Sequence, residues 1–160
     1  MRVLNGNTIA GMKSFLNKMN STAQKVRLGQ IAVEKKDTVM GVYDFAVNGG
    51  AVGTSNLLDE NGLAIVIPDN AIITNVLIDI VTAIVSTGGD GTIALDSEAD
   101  GDLLAAVDGD TLSGIAAGVP VGSAATAIKM TAARTLTITI ATAVLTAGKI
   151  AVHVEWTPSI

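Results

Sequence analysis

Near the C-terminus the side chains alternate with a period of two, and this alternation constrains the fold more than any other feature of the 160-residue chain. Leu136, Ile138 and Ile140 alternate with Thr135, Thr137 and Thr139. Further on, Ile150, Val152, Val154 and Trp156 alternate with Ala151, His153 and Glu155. Successive side chains of an extended strand point to opposite faces, so each run buries one face and presents the other. On a helix the same residues would be scattered around the axis. The segment 143–148 between the runs ends in Gly148 before Lys149 and is read as the loop of a hairpin.

The same pattern extends upstream in shorter pieces. Strands are expected over 39–47, stopped by Asn48-Gly49-Gly50, and over 63–67, stopped by Pro68-Asp69-Asn70. The longest is expected over 72–85. Its even positions Ile72, Val76, Ile78, Ile80 and Ile84 form a core face, and the odd face carrying Asn75 and Asp79 is half-buried against a loop or a second subunit. Gly88-Gly89-Asp90-Gly91 turns the chain into a strand over 92–95. Residues 96–124 are acidic, Gly-rich and read as irregular, apart from a short segment at 103–107; a further strand is placed at 127–131. Half the residues are hydrophobic (49%) but only four are aromatic, so the core is built from Ala, Val, Ile and Leu with many Thr. β-branched side chains suit strands, and short strands with frequent turns define an all-β antiparallel sandwich, jelly-roll-like.

Charge divides the chain at residue 36. Residues 1–36 hold Arg2, Lys13, Lys18, Lys25, Arg27, Lys35 and Lys36 against Glu34 alone, a balance of +6. Residues 37–160 hold three basic residues against fourteen acids, a balance of −11. The chain therefore reads as a basic N-terminal arm, 1–36, on an acidic β-sandwich domain, 37–160. Within the arm, Ile9, Met12, Leu16 and Met19 recur at helical spacing with Phe15 beside them, predicting a helix over 8–20 that Asn7 or Thr8 caps. From Gln24 the period becomes two, with Lys25 and Arg27 on one side of a strand that Gly29 interrupts. A helix this short is marginal alone and must dock on something.

Mean hydropathy is +0.51, although no uninterrupted apolar run of about 18 residues exists to span a membrane. Burial between subunits explains the excess, which favours an oligomer. The opening Met-Arg-Val-Leu-Asn-Gly lacks the apolar region of a signal peptide. Absence of Cys excludes disulfides, thiolate catalysis and Cys-ligated zinc.

Nothing in the sequence assembles catalytic chemistry. His153 is the only histidine, on the outward phase of the last strand, and no Gly-x-Ser-x-Gly elbow is present. The Gly clusters lack the Gly-Lys-Ser/Thr ending of a phosphate loop. Asp96, Glu98, Asp100 and Asp102 imitate the start of a calcium loop, but Val107 stands where the bidentate Glu belongs, so a solvated acidic loop is the preferred reading, with Asp108 and Asp110 leaving a calcium site of another geometry open. No cofactor is expected. The arm's Arg2, Ile9, Met12, Lys13, Phe15, Leu16, Lys18, Met19, Lys25, Arg27, Lys35 and Lys36 are the candidate partner-binding residues. An acidic protein surface is their favoured target, ahead of a solvated helix on the chain's own domain. Nucleic acid ranks last, because an acidic body repels phosphate and the arm has one aromatic for stacking.

Several phrases resemble small structural proteins of tailed-bacteriophage virions, the head decoration or cement proteins. They are Tyr43-Asp-Phe-Ala-Val-Asn-Gly-Gly-Ala-Val-Gly53, Ile67-Pro-Asp-Asn-Ala-Ile-Ile-Thr-Asn-Val76, Thr135-Leu-Thr-Ile-Thr-Ile140 and Leu145-Thr-Ala-Gly-Lys149. The similarity spans about residues 40–157 and leaves the arm outside. It implies a jelly-roll-like sandwich, usually trimeric, made in the host cytoplasm and seated on the capsid surface where major capsid protein subunits meet. There it would clamp the shell against internal DNA pressure, with no catalytic residue. A receptor- or glycan-binding module of a head or tail fibre is the alternative, with few aromatic faces to serve it.

Overall fold

The structure, a computed structural model, describes residues 37–159. The predicted helix at 8–20, the basic strand after it and the arm's candidate residues lie outside the described residues.

Eleven strands make up the body: β1 (Asp37–Asp44), β2 (Gly53–Asn56), β3 (Val66–Ile67), β4 (Ala71–Ser86), β5 (Thr92–Asp96), β6 (Leu104–Asp108), β7 (Gly114–Val121), β8 (Ile128–Lys129), β9 (Arg134–Thr135), β10 (Thr137–Ala141) and β11 (Leu145–Pro158). All pair antiparallel. One sheet runs β1-β11-β4-β7, with β8 also paired to β4; the second runs β2-β10-β5-β6; β3 and β9 form a small ribbon. Successive long strands switch sheets at every step except β5 to β6. That order is the jelly roll, in which two Greek keys wrap one core.

The core is continuous between the sheets. Val76, Ile78, Ile80, Ile150, Val152 and Val154 from one sheet join Ile93, Leu95, Ile138 and Ile140 from the other in a single buried cluster. The alternating residues of β10 and β11 are therefore inward, as the sequence pattern requires. The hairpin reading is corrected: β10 and β11 lie in different sheets and do not pair. Thr142 turns at φ 69° and the Ala143 N–H donates to the Ala141 carbonyl at 2.8 Å, after which Leu145 N–H donates across to the Gly50 carbonyl at 2.8 Å. β11 thus begins at Leu145, inside the expected loop. Alternation reports which face of a strand is buried and carries no information about its neighbour.

β4 also departs from its expected phase. Ala71 and Ile73 are buried at odd positions, then Val76, Ile78 and Ile80 at even ones. Pairing with β11 steps from Asn75↔Glu155 to Ile73↔Trp156, so Thr74 is an extra residue and the strand changes face there. Ile73, not Ile72, belongs to the core.

Two strands are absent from the sequence reading. β2 contains no large apolar side chain, and β7 falls inside the stretch read as irregular. Gly118 and Pro120 obscure the alternation of β7. A Cβ on Gly118 would lie 2.6 Å from both the Leu103 carbonyl and Val76 Cγ1, so the glycine permits close strand approach. β1 ends earlier than expected, because Asp44 caps one helical turn, Phe45–Asn48, by accepting from Ala46 N–H at 2.9 Å. Buried Tyr43 donates to the Gly49 carbonyl at 2.8 Å, and burial raises the pKa of its hydroxyl. β3, β6 and β8 fall within a few residues of their expected segments.

Candidate docking face

The outer face of the five-stranded sheet is the surface with functional potential. Strand register places Met40, His153, Leu77 and Ala117 side by side across four strands, and Val42, Ala151, Asp79 and Ile115 in the next row. Val81, Val119 and Val121 extend the apolar area, with Ile115 70% and Val81 54% exposed. Soluble monomers rarely leave so many neighbouring apolar side chains in water, which makes the face a candidate partner surface. The sequence reading of a half-buried outer face on β4 is thereby given its surroundings; the part of the face contributed by β7 was not foreseen.

An open depression of about 700 Å³ lies at the β1 end of this face. Met40, Val42, Val47 and Val81 supply apolar lining, and Asp44, Asp59, Glu60, Asp79 and Lys149 are the Asp, Glu, Lys and Arg side chains that line it among the described residues. Lys149 pairs with Asp44 at 3.0 Å. That hydrogen bond, aided by the Ala46 N–H, lowers the Asp44 pKa. Asp59 accepts from the Leu63 and Asn61 N–H groups, each at 2.8 Å, and these bonds lower its pKa, that from Leu63 most. Asp44 and Asp59 are therefore held anionic, the first by Lys149 and the second by its own turn. His153 sits here, partly buried, on the outward phase that the alternation assigns to it.

The acidic loop at 96–102 is tied to the body by three of its carboxylates, while Ala99 and Asp100 stay exposed. Asp102 accepts from the N–H groups of Ser97, Glu98 and Ala99 at 2.7, 2.8 and 3.0 Å and from Ser97 Oγ at 2.8 Å. Asp96, itself buried, accepts from Gly101 N–H at 2.5 Å and from Thr139 Oγ1 at 2.7 Å. Glu98 accepts from the Thr131 hydroxyl and N–H and from Arg134, its Oε2 lying 3.2 Å from Arg134 Nε. Three of the four candidate calcium ligands thus serve separate sets of internal donors. Among the described residues no three His, Asp or Glu side chains converge on a metal position.

Glu98 carries a pH consequence. Its pKa is lowered from 4.5 to about 2, chiefly by the Thr131 hydroxyl and next by Arg134. A carboxylate depressed in the folded state contributes stability that is complete above pH 4.5 and lost as pH falls toward 2. Glu98→Gln is expected to lower the melting temperature at pH 6, and the gap to the parent protein should close between pH 4.5 and about 2. Melts followed by fluorescence of Trp156, the only tryptophan, check this; a gap unchanged across that window would refute it.

Comparison with known proteins points in one direction. No protein-family model matches the chain, and no curated protein does. The fold is nevertheless that of chains in bacteriophage capsid structures. A chain of the acidic stable capsid of Helicobacter pylori bacteriophage KHP30 is similar at TM-score 0.56 and 13% identity, over 79% of this chain and 90% of that one. Chains from the Cyanophage Pam1 capsid asymmetric unit and the capsid of Ralstonia phage GP4 are similar at TM-scores 0.53 and 0.51, each 17% identical. Each covers 78% of this chain and 86% of its own.

Proposed function

We propose that the chain is a structural protein of a bacteriophage virion, a decoration or cement protein that sits on the capsid surface between major capsid protein subunits and stabilises the shell. The observation that carries this reading is the jelly roll shared, over 78–79% of this chain, with chains of three phage capsids. The exposed apolar sheet face supports it, since a protein that works only in an assembly carries its partner surface uncovered. A homotrimer fits both the face and the resemblance. No catalytic role is proposed.

The purified chain should bind expanded capsids of its own phage at fixed copy number and raise the temperature at which they rupture. Cryo-EM of the native particle should show its density on the shell. Density on the tail instead, or none on the particle, would overturn the reading. Removing residues 1–36 should weaken binding at least tenfold, and so should raising salt to 1 M, where screening falls to about 3 Å. Unchanged binding by the truncated chain would remove the arm from the attachment.

A further inference from the structure

The five-stranded sheet ends at β7, and one stretch of that edge is open. Strand register fixes which backbone groups face outward. The Val42 N–H and carbonyl bond to Leu58, on the side of β1 away from β11, at 2.8 and 3.0 Å. Backbone groups in an antiparallel ladder face its two sides alternately. The phase therefore carries across the sheet through the bonded pairs Gly41↔Val152, Ala151↔Asp79 and Ile78↔Ala116. Ile115 and Ala117 point their N–H and C=O groups off the edge, as Val119 does in donating to the Leu103 carbonyl at 2.8 Å. Among the described residues nothing pairs with Ile115 or Ala117 on that side.

Sheet edges left in water are usually blunted by charge, proline or a bulge, because an open ladder invites another strand. The far half of β7 is blunted in this way, by Pro120 and by the Leu103 contact at Val119. The near half is not. Residues 111–128 carry no charged side chain, so two such edges meet without like charges opposed. The open window begins at Gly114, where the chain turns in at φ 62°, and ends at Gly118, beside the Leu103 carbonyl. Ala116 is its centre, so the window pairs with its own copy in register. We infer that β7 of one copy pairs antiparallel with β7 of a second across a two-fold axis at Ala116, joining the two sheets edge to edge. Ile115 of each copy then lies opposite Ala117 of the other, a large side chain against a small one.

Such an axis stands normal to the sheet, so both outer faces stay on one side. Met40, Leu77 and Val81 of the two copies then form one broader apolar surface, continuous through Ile115 and Ala117. A two-fold contact joins one copy to one other. Beside a three-fold interface it links neighbouring trimers instead of building one. The contact goes beyond the proposed shell role and is first tested without capsids, so either can fail alone.

The chain contains no Cys, so introduced thiols report cleanly. Full-length Ile115→Cys and full-length Ala117→Cys, both at exposed positions and carrying different tags, are mixed with oxidised glutathione. Each cross-link formed oxidises two protein thiols to one disulfide and reduces the glutathione disulfide to two thiols. Directly opposed positions place their Cα atoms about 5.5 Å apart, within disulfide reach. Two Ile115 or two Ala117 positions lie on the diagonal, at about 7–8 Å, and are out of reach. The mixture should therefore give a two-chain adduct roughly fivefold or more above either variant alone, because pairing raises the local thiol concentration. It should exceed by as much a mixture of Ile115→Cys with Val52→Cys, an exposed position outside this sheet. A yield no greater than the single variants, or no greater than the Val52→Cys reference, would overturn the inference. So would an Ile115→Cys chain that cross-links to a shell protein on capsids while the mixture gives no adduct, which would assign the edge to that protein.

Discussion

Ile78→Ala is expected to lower the unfolding free energy by about 2–5 kcal/mol, the usual cost of emptying a fully buried aliphatic site. Ile78 has no exposed surface and lies in mid-strand, opposite Val152 on β11 and Ala116 on β7. Its neighbour Leu77 points the other way and is 39% exposed, so Leu77→Ala should cost well under half as much. The bulge at Thr74 makes a sharper version of the test. With the strand changing face there, Ile73→Ala should approach the cost of Ile78→Ala, and Ile72→Ala should fall clearly below it. An unbroken strand would reverse the ranking of Ile72 and Ile73. Urea unfolding followed by Trp156 fluorescence measures all four.

Asp102→Ala is expected to cost about 2–4 kcal/mol, since three N–H groups and one hydroxyl lose their acceptor together. Water can reach part of this loop, which keeps the cost below the sum of four separately buried donors. Asp102→Asn should fall between parent and Ala, because one oxygen still accepts while an NH₂ faces former donors. Asp100→Ala, two residues away, should stay within about 0.5 kcal/mol of the parent protein. Millimolar calcium should leave the melting temperature unchanged, because binding would have to take Asp96, Glu98 and Asp102 from their present donors. A calcium-dependent rise of several degrees would restore the metal reading.

The candidate docking face was legible in part. Odd positions of β4 mix Leu77, Asp79 and Val81, and that mixture signals a face neither fully wet nor fully buried. Mean hydropathy pointed the same way, toward surface covered by another chain. The extent of the face was not legible. It depends on β1, β11, β4 and β7 standing side by side, and β7 is disguised by Gly118 and Pro120. The acidic depression combines Asp44, Asp59, Glu60 and Asp79, drawn from separate turns and strands, and no spacing rule connects them. The calcium-like spacing at 96–102 was conspicuous in the sequence, yet Asp96 and Asp102 cap their own loop and Glu98 turns to Thr131 and Arg134.

What the sequence determined by itself is local: a body of β-strands, the buried faces of β10 and β11, and the separation of a basic segment from an acidic domain. These follow from period-two alternation and from charge counted along the chain, which need no knowledge of distant residues. Tertiary structure alone decided which strands are neighbours, where β4 changes face and which carboxylates share a rim. Strand pairing joins residues far apart in the chain, and many pairings satisfy one alternation equally well. The choice among them falls to the packing of both sheets around a single core. Here that packing sends β10 and β11, which sequence reads as partners, to opposite sides of it.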